Sequence, residues 1–233
     1  MTSVQYYDSP LGRIRMAADE IGLTVLCFEG AKYDADRLSA GCFEQETEIL
    51  SVGKRWLNLY FGGQKPDFLP PLHPKGSAFQ MTVWDILLEI PYGKTISYGE
   101  IARKIAEKRG ISRMSAQAVG GAVGRNPIAI IIPCHRVVGA DGSLTGYAGG
   151  IDKKIKLLEL EHGDSPLKLH LPSAKTTAIG GMSREELDLE LKKGLDSLQS
   201  FVRLEASRKA SDEVSDYDAE RAEAMNAKYG VVD

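Results

Sequence analysis

The stretch GQKPDFLPPLHPKG, which ends at Gly76, holds four prolines and two glycines. Neither a helix nor a central strand can run through so many missing N–H donors and fixed φ angles. It is an extended linker that divides the chain, and the patterns on its two sides differ. Before it, residues 12–17 (GRIRMA) alternate polar and apolar, and residues 23–28 (LTVLCF) are rich in β-formers between Gly22 and Gly30. Both predict strands. A helix is predicted near 46–61, with Ile49, Val52, Trp56 and Tyr60 on one stripe and Gly62-Gly63 as its stop. After the linker, Ser77 with Gln80 and Ser97 with Glu100 have the spacing of capping boxes. The first helix buries Phe79, Val83, Ile86 and Ile90 and ends at Pro91-Tyr92-Gly93; the second spans 98–109 and stops at Gly110. A third runs from about Ser115 to Gly124. Two short helices joined at a glycine fit a helix-turn-helix, a pattern that many helical connections share.

Downstream, residues 128–132 (IAIII) form an apolar run between two prolines, buried as strand or extended loop. Asp152 is placed to cap a helix carrying Ile155, Leu158 and Glu161. The last 70 residues change character. Ser183 and Glu186 open a helix with Leu187, Leu191, Leu195, Leu198 and Val202 on one stripe, and residues 205–228 are highly charged. The expected organisation is thus a strand-rich part over 1–75, a helical part over 76–163 and a helical, partly flexible extension over 164–233.

With 43% hydrophobic and 26% charged residues the chain is globular in composition. No apolar run approaches the roughly 18 residues of a membrane span, and the first residues show no secretory signal. Three cysteines (Cys27, Cys42, Cys134) without a CxxC pair argue against a disulfide framework and point to a reducing cytoplasm. Cys27, in a core strand, and Cys42, in a loop, are expected to be inert. His73, His162 and His170 share no ligand spacing, so no metal is expected. A net charge of −3 speaks against a nucleic-acid partner until it is divided. Residues 1–93 balance at −4, residues 94–163 at +5 with 11 Lys/Arg against 6 Asp/Glu, and residues 164–233 at −4. The basic middle is a candidate anion-binding surface, although scatter over solvated faces gives the same numbers.

Within it lies Pro133-Cys134-His135-Arg136-Val137. A cysteine between a buried run and a glycine-rich segment is fixed yet able to face a cleft. Arg125 and Arg136 would favour its thiolate, and a histidine–carboxylate pair could take its proton. Spacing alone leaves a buried structural cysteine as an equal alternative.

Asn126-Pro127, Ile130-Ile131-Ile132-Pro133-Cys134-His135-Arg136-Val137-Val138-Gly139 and Gly146-Tyr147-Ala148-Gly149-Gly150 together resemble the methylated-DNA–protein-cysteine methyltransferases, the O6-alkylguanine-DNA alkyltransferases. Ile96-Ser97-Tyr98-Gly99-Glu100-Ile101-Ala102 and Ala118-Val119-Gly120-Gly121-Ala122 extend the resemblance, which covers roughly residues 1–163. It implies an α/β (α+β) fold with a strand-rich, RNase-H-like N-terminal subdomain and a helix-turn-helix catalytic subdomain. It also implies single-turnover DNA repair, in which Cys134 takes the alkyl group from O6 of guanine, with O4-alkylthymine as a further substrate. By resemblance, His135 contacts Cys134 through a water and is backed by Glu161, while Tyr98 hydrogen-bonds the guanine ring. The carbonyls of Cys134 and Val137 accept from its exocyclic amine, Tyr147 and the amide of Ala148 line the pocket, and Asn126 bridges the recognition helix and the active-site turn. No cofactor is implied.

The implied partner is double-stranded DNA with the alkylated base flipped out. The recognition helix enters the minor groove, where Ala118, Gly120, Gly121 and Ala122 permit close approach, and Arg125 and Arg136 are candidate phosphate contacts. Two departures stand out. Gln117 occupies the place of the family's gap-filling arginine, and Ala148 that of a common serine. Residues 185–195 and 212–214 carry a faint resemblance to RelB-type antitoxins, and the C-terminal helices offer a surface for a protein partner or for self-association. The rival readings are a non-catalytic lesion-binding relative, against which Cys134 speaks, and an antitoxin-like DNA-binding regulator.

Overall fold

The computed structural model describes residues 2–32 and 42–163. The helix expected at Ser183, its leucine stripe and the antitoxin-like stretch fall outside the described residues. Four strands come first: β1 (Thr2–Ser9), β2 (Gly12–Ala18), β3 (Leu23–Phe28) and β4 (Cys42–Glu44). They form one sheet in the order β3-β2-β1-β4, antiparallel except for β4, which pairs parallel to β1. Cys42 therefore lies in an edge strand rather than a loop. Gly12, with φ of +112°, lets the chain double back between β1 and β2. The turn into β3 is held by Asp19, whose carboxylate accepts from the amides of Ile21 and Gly22.

One face of the sheet is covered by α1 (Glu48–Phe61), capped by Thr47 and stopped at Gly62. The expected stripe is rotated. Leu50, Gly53, Trp56, Leu57, Tyr60 and Phe61 face inward, while Ile49 and Val52 are half-buried. Gly53 packs on that inner face, where a Cβ would meet the Leu23 side chain at 3.4 Å and the Met16 sulfur at 3.5 Å. This face buries Leu50, Leu57 and three aromatic rings, with each buried leucine contributing roughly 1.5–3 kcal/mol.

The proline-rich segment is extended, as expected, but it is not a free linker. The Leu23 amide donates to Pro71 O at 2.8 Å and the His73 amide to Leu23 O at 2.7 Å, so the segment runs as a parallel bridge beside β3. His73 Nδ1 lies 2.7 Å from Asp19 and fastens the same place from its side chain.

The second part holds α2 (Ala78–Leu88), α3 (Tyr98–Arg109), α4 (Ala116–Gly124) and α5 (Ile151–His162). Both capping boxes are formed, Ser77 with Gln80 and Ser97 with Glu100. Gly110 closes α3 in the left-handed conformation, and Ser115 caps α4. α3 and α4 thus make the helix-turn-helix, and the Trp84 indole of α2 donates to Ala122 O at 3.0 Å to hold α4 in place. A short parallel pair, β5 (Ile96–Ser97) with β6 (Val137–Val138), joins the start of α3 to the segment after Cys134. Asp152 sits in the first turn of α5, but the cap is Gly150, with φ of +97°. The main core is continuous across both parts, from Ile14 and Leu26 to Val119, Ile132 and Leu157.

Candidate active site

The apolar run at 128–132 is neither strand nor plain loop. It is a doubled turn. Ile131 N donates to Ala129 O at 2.8 Å across Ile130, whose φ is +69°. Cys134 N donates to Ile132 O at 2.8 Å across Pro133, whose φ and ψ of −82° and 63° make an inverse γ-turn. A β-branched residue at positive φ costs on the order of 1–3 kcal/mol and persists only where its surroundings over-determine it. Here β3 and Asn126 do so. Leu26 N donates to Pro127 O and Ala129 N to Leu26 O. The Asn126 Oδ1 accepts from Ile128 N at 3.0 Å, while its Nδ2 donates to Ile132 O at 2.7 Å and to the Cys134 sulfur at 3.1 Å. One amide side chain thus spans the turn and touches the thiol.

Cys134 opens a single 3-10 turn, Cys134–Arg136, in which all three residues are buried. His135 Nε2 lies 2.7 Å from Glu161 Oε1, and both side chains are fully buried. Arg136 forks onto the same carboxylate, Nε to Oε2 at 2.7 Å and Nη2 to Oε1 at 2.8 Å, and its Nη1 donates to Ile90 O. The Tyr60 hydroxyl and the Gly93 amide also donate to Glu161. Burial pushes the Glu161 carboxyl up, but the hydrogen bonds from His135 and Arg136 outweigh it and hold it well below the usual range. Burial pushes His135 toward its neutral form, and the Arg136 guanidinium already balances Glu161. With its Nε2 proton on Glu161, His135 carries a lone pair on Nδ1, which has no protein partner. The site therefore contains a buried, neutral imidazole able to accept a proton.

Arg136 is thus not a phosphate contact, because its guanidinium is spent on Glu161 and Ile90 inside the protein. The carbonyl of Val137 accepts from Lys154 Nζ at 2.6 Å, and that of Cys134 from the Val137 amide. Burial lowers Lys154 to about 8. The sequence places Tyr60 only on an apolar stripe and gives Lys154 no role. The available signal was the inner face of α5, where Lys154, Leu157, Leu158 and Glu161 put charged residues at core positions seven apart.

Cys134, Asn126, Tyr147 and Ala148 line one cavity of about 20 Å³, room for roughly one water. It is also lined by Cys27 and Phe28 at the end of β3 and by Ala31 just beyond it. Cys27 is therefore not remote from the site. The two segments are tied where Lys32 N donates to Ala148 O at 3.0 Å. The Tyr147 hydroxyl is buried without a hydrogen-bond partner, and burial first, then Cys134, pushes it well above the usual phenol value. Tyr98 stands at the first position of α3, near enough to Cys134 to feel its charge; its hydroxyl accepts from Thr145 Oγ1 at 3.2 Å.

On α4, Gln117, Ala118, Gly121 and Arg125 are exposed and lie on one face. Gly120 is half-buried, and a Cβ there would sit 3.7 Å from the Tyr98 ring. Ala122, expected on the groove-facing side, is instead buried against α2, as the Trp84 bond to its carbonyl requires. Arg103, Lys104, Lys108, Arg109 and Arg113 are also exposed on α3 and the turn, where Lys104 pairs with Glu89 at 3.6 Å and Arg109 lies over the Phe79 ring of α2. Among the described residues, no group of three or more His, Cys, Asp or Glu could hold a metal ion, and no helix is long and apolar enough to cross a membrane.

Two family profiles match the chain: "6-O-methylguanine DNA methyltransferase, ribonuclease-like domain" over residues 4–74 and "6-O-methylguanine DNA methyltransferase, DNA binding domain" over residues 78–163. A methylated-DNA–protein-cysteine methyltransferase of Methanosarcina acetivorans is 44% identical over 155 residues, 66% of this chain and 95% of that protein. The one from Mycobacterium bovis is 44% identical over 164 residues, 70% of this chain and 94% of the relative. Among solved structures, Mycobacterium tuberculosis OGT in complex with DNA superposes with a TM-score of 0.60 at 42% identity, covering 70% of this chain and 95% of the other.

Proposed function

The chain belongs to the 6-O-methylguanine DNA methyltransferase family, and on that premise we propose that it repairs DNA by moving the alkyl group of O6-alkylguanine onto the sulfur of Cys134, once per molecule. The observation that carries this is the setting of that sulfur. It lines a cavity, accepts from Asn126 at 3.1 Å, and directly precedes an imidazole held on Glu161.

The chemistry is a displacement at carbon. The Cys134 thiol gives its proton to His135 Nδ1, through one water where the two do not touch, and the imidazolium is stabilised by Glu161. The sulfur then forms a bond to the alkyl carbon as the carbon–oxygen bond breaks and its electron pair returns to the guanine. Tyr98 supplies a hydrogen bond to the leaving ring. Tyr147 and Ala148 close over the base, Asn126 holds the turn, and the second lone pairs of the Cys134 and Val137 carbonyls receive the exocyclic amine. The base would enter beside the cavity of about 20 Å³ that Cys134 lines. The duplex lies along Gln117, Ala118, Gly121 and Arg125, with Gly120 supporting Tyr98. Residues 1–75, 76–163 and 164–233 are then the sheet scaffold, the DNA-binding acceptor part and an extension that offers a surface for a protein partner or a second copy. A reducing cytoplasm would keep Cys134 as a thiol.

The test is intact-mass measurement after incubation with duplex DNA containing O6-methylguanine. One added methyl on Cys134, absent in Cys134→Ser while lesion binding remains, is the expected result. Lesion binding without an adduct in the unaltered protein would identify a binding-only protein instead.

A further inference from the structure

Resting on the role given to Tyr98 above, we propose that Thr145 is a positioning residue for the alkyl transfer, donating to the Tyr98 oxygen so that the phenol proton is left for the leaving guanine. Tyr98 begins α3, and its ring lies against Gly120 of α4. Its hydroxyl can donate one hydrogen and accept others. The Thr145 Oγ1 donates to it at 3.2 Å, which fills an acceptor position and keeps the phenol's own proton out of that bond. Were Thr145 to accept from the phenol instead, the Tyr98 proton would be withheld from the base.

The loop does not need this bond to stay in place. The Thr145 carbonyl is anchored independently by Lys154 Nζ at 2.8 Å, and the same ammonium holds the Val137 carbonyl at 2.6 Å. Lys154 is fully buried. The backbone at Val137 and at Thr145 is thereby fixed to one cation, and the Thr145 hydroxyl is left to serve the phenol. Burial pushes the Tyr98 hydroxyl above its ordinary value, and the Thr145 bond opposes that shift. The bond thus favours the charge that grows on the phenol oxygen.

The consequence is kinetic. As the carbon–oxygen bond of the lesion breaks, electron density reaches the guanine ring and draws the Tyr98 proton toward it. The phenol oxygen gains negative charge, and the Thr145 bond tightens from its present length toward the roughly 2.5–2.7 Å of charge-assisted O–H···O contacts. It is stronger in the transition state than before it, so its loss slows transfer without weakening lesion binding.

Four variants test this: Thr145→Val, Thr145→Ser, Tyr98→Phe and the double variant Thr145→Val/Tyr98→Phe. The readouts are the single-turnover transfer rate on O6-methylguanine duplex, affinity for the same duplex and thermal stability. Thr145→Val should slow transfer about tenfold, about 1.4 kcal/mol, with affinity and melting temperature unchanged. Thr145→Ser should restore the rate, and Thr145→Val should cost nothing further once Tyr98 is phenylalanine. Equal slowing with and without the Tyr98 hydroxyl, a loss confined to affinity, or no slowing overturns the proposal. Should the valine variant fail to fold, Thr145→Ala carries the same comparison. Absence of any adduct on Cys134 in the unaltered protein would overturn the underlying repair reading as well, whereas an adduct with no coupling overturns this proposal alone.

Discussion

Around Cys134 the polar side chains are buried and interlocked: Asn126, His135, Arg136 and Glu161 all make hydrogen bonds inside the protein. On α4, by contrast, Gln117, Ala118, Gly121 and Arg125 are small or mobile in type and face solvent. The two regions are neighbours in space but built by opposite rules. The chemical centre is organised before substrate arrives, so its interactions contribute to folding. The exposed α4 face has no such internal network, and under the proposed function its interactions would be completed by DNA. Substitutions should therefore separate cleanly, with large stability effects in the first region and binding effects in the second.

The sharpest way to break that contrast is a pair of arginines. Arg136→Ala removes the fork from a fully buried carboxylate and should cost about 3–5 kcal/mol in urea unfolding. Arg125→Ala, on the exposed face, should cost under about 0.5 kcal/mol and instead flatten the salt dependence of DNA binding by about one contact. Comparable unfolding costs for the two would abolish the distinction. The same centre sets an acid limit. Glu161 is held below its unfolded value of about 4.3, so its stabilisation is complete above that pH and is lost as pH falls through the depressed native value. Denaturation midpoints between pH 5 and pH 2 should fall steeply for the unaltered protein and less steeply for Glu161→Gln. Parallel curves would show that the cluster does not govern acid stability.

Next in size is Asn126→Ala. It deprives the Ile128 amide of its partner and leaves the Ile132 carbonyl with the Cys134 amide alone, a loss of about 1–3 kcal/mol, and releases a turn that contains Ile130 at positive φ. Because the same amide touches the sulfur, transfer should slow more than stability falls. A variant that loses stability while keeping the full transfer rate would make Asn126 a purely structural bridge.

How much of this the sequence discloses follows from the range of the interactions. The capping boxes at Ser77 and Ser97 and the stop at Gly110 are fixed by neighbours three or four residues apart, and they fold as read. The rotation of α1 is not local, since it depends on how the helix docks on the sheet, where Gly53 lies over Leu23 and Met16. The inward turn of Arg136 requires Glu161, 25 residues away, and the pocket wall at Cys27 requires the docking of β3 on the active-site turn. Ala122 is the instructive miss. Smallness in a helix is equally good for a groove and for a packed neighbour, and here the neighbour, Trp84, takes it.

The smallest expected effect concerns the recognition face alone. Gln117 is exposed near the start of α4, where the resemblance places an arginine that fills the gap left by the flipped base. Glutamine can enter that gap but lacks the charge and planar fork that hold phosphates and bases. Gln117→Arg should raise the single-turnover rate on duplex DNA severalfold and steepen the salt slope of binding by about 0.9. It should leave unfolding free energy within about 0.5 kcal/mol and leave the reaction with free O6-alkylguanine base unchanged, because no extrusion is needed there. An equal gain on the free base would move the effect of residue 117 from DNA opening to the chemical centre, and the division between the two regions would then fail at their shared border.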